Sequence, residues 1–157
     1  MTVRVSSVRI KAIAHATEDP NKIARAFYQV CPEETSLRKI EKAVVKGHFG
    51  NPIITLSLTI SGHLAESFFS NLWSLLSRRD CETMIMDVGS QLDEQGTLHL
   101  RLDKQACILG TIGLKGRDPV KVEVSFRGLS DSKEGIKGFL RSIDEHGVSS
   151  VGFRCSS

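Results

Sequence analysis

The chain has 157 residues, is 40% hydrophobic and 25% charged, and carries a formal net charge of +3. That length and balance fit one globular domain with its own core and exclude a disordered chain. The mild basic excess permits a polyanionic partner without requiring one.

The charge is unevenly spread. Residues 1–50 hold nine Lys/Arg against five Asp/Glu, 101–127 hold six against three, and 80–96 hold five acids and no Lys or Arg. Cys31, Cys81, Cys107 and Cys155 form no CxxC pair and have no His at ligand spacing, so no metal or cofactor is expected. The first residues alternate apolar with basic and lack the apolar stretch of a signal peptide, and no run reaches the ~20 apolar residues of a membrane span. A cytoplasmic protein without a membrane partner is the expectation.

In chain order, Val8, Ile10, Ala12 and Ala14 alternate with Arg9, Lys11, Ile13 and His15, the period of a half-buried strand. Asp19 and Pro20 are suited to cap and open a helix carrying Ile23, Ala24, Phe27 and Val30, which ends at Cys31-Pro32. A less regular strand is expected over 37–46. Gly47-His48-Phe49-Gly50-Asn51-Pro52 then reverses the chain into a third strand over 54–60, making a hairpin. The periodicity predicts a long helix over 63–79, with Leu64, Phe68, Leu72, Leu75 and Leu76 as its stripe. Phe69 and Trp73 flank that stripe, as core or as a partly exposed surface for a homodimer.

A short strand over 83–87 and an acidic turn at 93–96 are expected next. Leu98, Leu100 and Leu102 then alternate with Thr97, His99 and Arg101. Asp103 is placed to cap a brief helix over 104–109, stopped by Gly110. The glycine-rich stretch 110–116 reads as a flexible loop. A last strand covers 120–126, and Ile136, Phe139, Leu140 and Ile143 mark a final helix before a Ser/Gly-rich tail over 146–157. There is no internal repeat and no linker, so 1–157 reads as a single domain.

Clean alternation in four strands implies a mainly antiparallel sheet with one apolar and one polar face. Four amphipathic helices would cover the apolar face, giving an α+β two-layer sandwich. The other face would present Arg9, Lys11, His15, Thr55, Ser57, Thr59, His99, Arg101, Lys121 and Ser125, with Glu123 as its acid. Lys and Arg can neutralise phosphates while Ser and Thr hydrogen-bond them, although such residues also suit any exposed strand. The face lacks aromatics for stacking bases, so backbone and shape recognition are favoured.

Two polar motifs stand out. The Gly47–Pro52 hexapeptide combines exposed amides with His48 and Asn51, and is equally readable as a structural hairpin turn. Arg101-Leu102-Asp103-Lys104-Gln105-Ala106 places Lys104 and Gln105 in a helix's first turn, where amides favour an anion; two solvated side chains are the plainer reading. Together with Glu18-Asp19 after the first strand, Gly110, and Asp118-Pro119 before the last, these motifs resemble a family of small archaeal proteins over roughly residues 5–127. That family is described as predicted RNA-binding proteins. The resemblance implies a fold similar to the large-subunit ribosomal protein that binds 5S rRNA, and a link to the archaeal exosome. It supplies no catalytic residues, and it does not reach the C-terminal helix and tail. The stretch 113–117 is more glycine-rich than the family pattern.

The expected function is therefore non-catalytic binding of RNA, with structured RNA as ligand and exosome or RNA-processing proteins as partners. Its candidate contacts are Arg9, Lys11, His15, Lys46, His48, Asn51, Arg101, Lys104 and Gln105. Two alternatives stand beside it. One is a protein-interaction module using an exposed strand edge near 128–131. The other is a metal-independent ribonuclease in which His15, His48 and His99 converge; no P-loop, GxSxG or HExxH motif is present.

Overall fold

The structure, a computed structural model, describes residues 3–30, 40–47, 50–114, 117–128 and 132–150. Strand β1 (Arg4–Ala14) leads to helix α1 (Pro20–Val30). Strands β2 (Glu41–Lys46) and β3 (Pro52–Ser61) form a hairpin, followed by α2 (His63–Leu75), α3 (Arg78–Met86) and the one-turn α4 (Val88–Gln91). Then come β4 (Leu98–Asp103), α5 (Lys104–Ile108), β5 (Pro119–Arg127) and α6 (Ser132–Ser150). The five strands make one antiparallel sheet in the order β2-β3-β1-β5-β4. This is the α+β sandwich that alternation predicts.

The register places the predicted inward residues together. Val8 pairs with Ile60 and Val124, and Ile10 with Leu58 and Val122, all buried. Behind them α2 buries Phe68, Phe69, Leu72 and Trp73. Phe69 stacks on Phe139 of α6 with centroids 6.2 Å apart and meets Phe126 edge-on at 6.4 Å. Phe69 and Trp73 are thus core residues, and the surface offered for a homodimer is not formed by them.

Two predicted elements are corrected. The helix expected over 63–79 stops at Leu75, because Leu76 and Ser77 are extended, and the Ser77 hydroxyl accepts from the Asp80 amide at 3.1 Å to start α3. The strand expected over 83–87 is instead the end of α3, with Asp87 as its C-cap. Its buried residues Cys81, Met84 and Ile85, with Val88 just beyond, recur at helical spacing, a period the short run of Met and Ile obscures. Replacing Ser77 by Ala is expected to lower stability by about 1 kcal/mol, the worth of an N-cap hydroxyl. A urea midpoint unchanged in that variant would assign the break to packing alone.

The chain reverses tightly between β2 and β3, where Lys46 pairs with Pro52. The Gly47 amide donates to Asn51 O at 2.6 Å, the Gly50 amide donates to Gly47 O at 3.0 Å, and Gly50 has φ +80°. His48 lies outside the described residues, as do the predicted helix end at 31–32, 37–39 of the predicted second strand and 151–157 of the predicted tail; α6 runs to Ser150, past the predicted start of that tail. Residues 110–114 of the glycine-rich stretch fold back on β4 rather than standing free. The Asp103 amide donates to Gly113 O at 2.8 Å and Leu114 bridges Leu102, while 115–116 lie outside the described residues. Among the described residues, no helix is long and apolar enough to cross a membrane.

Candidate nucleic-acid interface

The face away from the helices is open, and the register arranges its charges in a row. Lys11 on β1 pairs with Lys121 on β5, which pairs with Arg101 on β4. Antiparallel partners point to the same side, so three cations stand abreast within about 10 Å, two strand spacings. Ser57 continues the row on β3. One register step along, Thr59, Arg9, Glu123 and His99 form a second row. Like charges directly opposite one another destabilise a sheet, so the first row costs free energy in the free protein. Two carboxylates share the face with it: Glu123, 3.8 Å from Lys11 Nζ, and Glu41 on β2, which pairs with Ser57 at the far end of the row. Arg9, Arg101 and Lys121 are exposed and have no ion-pair partner among the described residues.

Both polar motifs gather at one end of the sheet. There β1 and β4 finish and β3 and β5 begin, so His15, the hairpin turn with exposed Asn51, exposed Gln105 and Asp118 share that end. Lys46 is at the same end, but it pairs with Pro52 in register with Lys42–Leu56, which puts its side chain on the helix side of the sheet. It does not join the Lys11 row.

Lys104 departs most from expectation. It is 2% exposed, not a solvated first-turn cation. Its ammonium donates to Ile13 O at 3.0 Å, Glu18 Oε1 at 2.9 Å and Asp118 Oδ2 at 2.7 Å. It thereby ties the end of β1, the loop into α1, and the lead into β5 to the start of α5. Asp103 caps that helix, accepting from the amides of Gln105 and Ala106 at 3.0 and 3.2 Å. With its charge spent on two carboxylates, Lys104 is withdrawn from the set of phosphate contacts and becomes the pin beneath them. Its partners lie 86 and 14 residues away in sequence, so no local pattern could pair them. The signal available was Glu18, Lys104 and Asp118 all falling within the motifs.

His15 Nε2 lies 3.3 Å from Asp118 Oδ1, and its backbone amide donates to Glu18 Oε1 at 3.0 Å. Ligand atoms of His15, Glu18 and Asp118 all fall within 4.8 Å of one another, a spacing that could hold a metal ion. The cation the two carboxylates hold here is the Lys104 ammonium. Asp118 has φ +45° directly before Pro119, a strained combination that this network holds in place. Burial pushes the Asp118 carboxyl up, but hydrogen bonds from Lys104 and His15 outweigh it and leave it below the ordinary carboxylate range. A depressed carboxylate stabilises the fold above its unfolded pKa of about 4, and this is lost as pH falls through its folded value. The thermal midpoint is expected to drop below pH 4 more steeply in the wild type than in Asp118→Asn; parallel curves would remove Asp118 from the account.

His15 and His99 are not brought together. His99 is level with Arg9 through Glu123, and His15 is six residues further along β1, about 20 Å at strand rise. Lys121, central to the row, is on the predicted polar face but was missed as a contact. Charge on β5 alone does not reveal that it stands between two other cations.

A family model described as RNA binding matches residues 7–126. The chain is 33% identical over 143 residues to the RNA-binding protein PAB1135 of Pyrococcus abyssi, an alignment covering 88% of this chain and 93% of that one. Among solved structures, protein AF2318 from Archaeoglobus fulgidus is similar with a TM-score of 0.74 and 31% identity, covering 89% of this chain and 99% of that one. Protein SSO0741 from Sulfolobus solfataricus has a TM-score of 0.73 and 30% identity, covering 87% and 98%. The matched stretch contains every strand of the sheet but the first residues of β1 and the last of β5, and it includes both polar motifs. By that match and those relatives, the chain belongs to the RNA-binding family.

Proposed function

We propose that the chain binds structured RNA without catalysis, through the open sheet face and the end of the sheet where the motifs meet. The observation that carries this reading is the row Lys11–Lys121–Arg101, three adjacent cations with Glu123 beside Lys11 and Glu41 beyond Ser57. Such a row is unfavourable alone and becomes favourable against a line of phosphates, which also releases counterions. Arg9 and the hydroxyls of Thr55, Ser57 and Thr59 extend it, and His15, Asn51 and Gln105 border it. Among the described residues the face has no aromatic, which favours phosphate, ribose and shape contacts over stacking. The wide separation of His15 and His99 disfavours a nuclease that pairs those two histidines. Titrating a labelled RNA hairpin at several salt concentrations tests the reading: log affinity should fall linearly with log salt, with a slope of about −2 or steeper. Affinity independent of salt would refute it.

Cytoplasmic location, a place beside exosome or other RNA-processing proteins, and likeness to the 5S-rRNA-binding ribosomal protein belong to the same proposal; the first rests on the sequence patterns and the others on the resemblance. Partners should co-purify only while RNA is intact. A second reading is favoured by β2, an edge strand exposed along its length, with Val44 and Val45 at 69% and 55% exposure. A partner's strand could add there. The edge strands are β2 and β4, and the end of β5 is not an edge because β5 is an interior strand. Partners retained after nuclease treatment and lost in Val44→Lys would support that reading.

A further inference from the structure

A pocket of about 290 Å³ opens on the same face, one register step from the cationic row. Its floor is Ser7, Arg9, Thr59, Glu123 and Ser125, and its wall is His99 with the 93–97 turn. The volume is near the lower end for small-ligand sites. Its polar groups divide into those already used and those left open. Asp93 is used: Oδ1 accepts from the amides of Gln95 and Thr97, both at 2.9 Å, and Oδ2 lies 2.9 Å from His99 Nε2. The hydrogen bond from His99, followed by that from the Thr97 amide, holds the Asp93 carboxyl below its ordinary range. Asp93 therefore fixes the turn and the imidazole.

Glu123 is open. Its nearest cations, Lys11 Nζ and His99 Nδ1, are both 3.8 Å away, beyond hydrogen-bond length. A carboxylate accepts only, and two parallel oxygens match two adjacent N–H donors. Guanine offers that pair on its Watson–Crick edge, N1–H beside the N2 amino group. Adenine and cytosine set one amino donor beside a ring nitrogen that the carboxylate repels, and uracil has a single N–H between two carbonyls. Arg9, which has no ion-pair partner among the described residues, supplies charge for a phosphate. The hydroxyls of Ser7, Thr59 and Ser125 can both donate to and accept from a ribose 2′-OH.

We propose that this pocket takes one unpaired guanosine of the bound RNA, with the base edge on Glu123 and the adjoining phosphate on Arg9. This rests on the RNA-binding reading above and adds a sequence preference to it. The test is titration of the whole protein with guanosine 5′-monophosphate and, separately, adenosine 5′-monophosphate, followed by amide NMR shifts of Ser7, His99 and Ser125. Guanosine monophosphate should bind more tightly by about tenfold, the worth of a bidentate base contact, and Glu123→Gln should abolish the difference. The same variant removes a negative charge beside Lys11, so its affinity for an RNA hairpin lacking unpaired guanine should rise. Equal binding of the two nucleotides, shifts outside the pocket, or discrimination surviving in Glu123→Gln would overturn the proposal. Hairpin binding that remains salt-dependent in those cases would leave the cationic row standing, so the two failures are distinguishable.

Discussion

The double variant Glu18→Gln/Asp118→Asn is expected to lose about 3–5 kcal/mol of stability, the cost of leaving a buried charge without its partners. Lys104 is 2% exposed, and those carboxylates are its only ionic partners among the described residues. Removing both strands an ammonium that must be pulled into water or neutralised. Lys104→Met is expected to cost less, about 1–3 kcal/mol, because the side chains of Glu18 and Asp118 are 21% and 44% exposed and can rehydrate. The asymmetry is the signature of the arrangement. Combining all three changes should recover much of the loss, since no charge is then buried, and Asn at 118 still tolerates the positive φ. Urea denaturation of the four proteins measures this directly. A double variant no less stable than Lys104→Met would mean that the Lys104 charge is solvated.

The second large effect concerns binding. Lys11→Gln/Lys121→Gln/Arg101→Gln should weaken hairpin RNA binding by about 10²-fold at 0.15 M salt. Each lost phosphate contact removes roughly 0.7 of a log unit there, from a slope near 0.9 per contact. The fold should hold, since the row is exposed or half-buried and its members repel one another. Stability equal to or slightly above wild type, with binding lost, would separate function from folding. Loss of both together would make the row a structural feature.

These expectations also mark what the sequence could and could not carry. Alternation is a local property, so β1, β3, β4 and β5, their faces and the antiparallel sandwich were readable from single segments. So was the Asp103 cap, which needs only its neighbours along the chain. The α2–α3 break was not, because Phe68, Leu72, Leu75 and Leu76 sustain a helical period up to the residue where Ser77 offers a competing cap. The site divides on the same principle. Arg9, Lys11 and Arg101 were found because face follows from parity within a strand. Lys121 completing their row depends on registers between three strands. Lys46 was misplaced because the face of β2 is set by its pairing with β3, and its own alternation is weak. Lys104 was misread because a lysine is solvated by default, and only tertiary structure brings Glu18 and Asp118 to it. Glu123, an isolated acid in the sequence, gains meaning only beside Arg9, Lys11 and His99.

Binding on the open face requires that the location of the cations, and not total charge, governs affinity. The direct measurement compares salt dependence of hairpin RNA binding for two triple variants of equal net charge: the sheet-face variant above, and Arg25→Gln/Arg79→Gln/Arg141→Gln, whose exposed cations sit on helices. The sheet-face variant should show a log–log slope shallower than wild type by about 2–3, and the helix variant should keep the wild-type slope. Equal slopes in the two variants would contradict the placement of RNA on the open face.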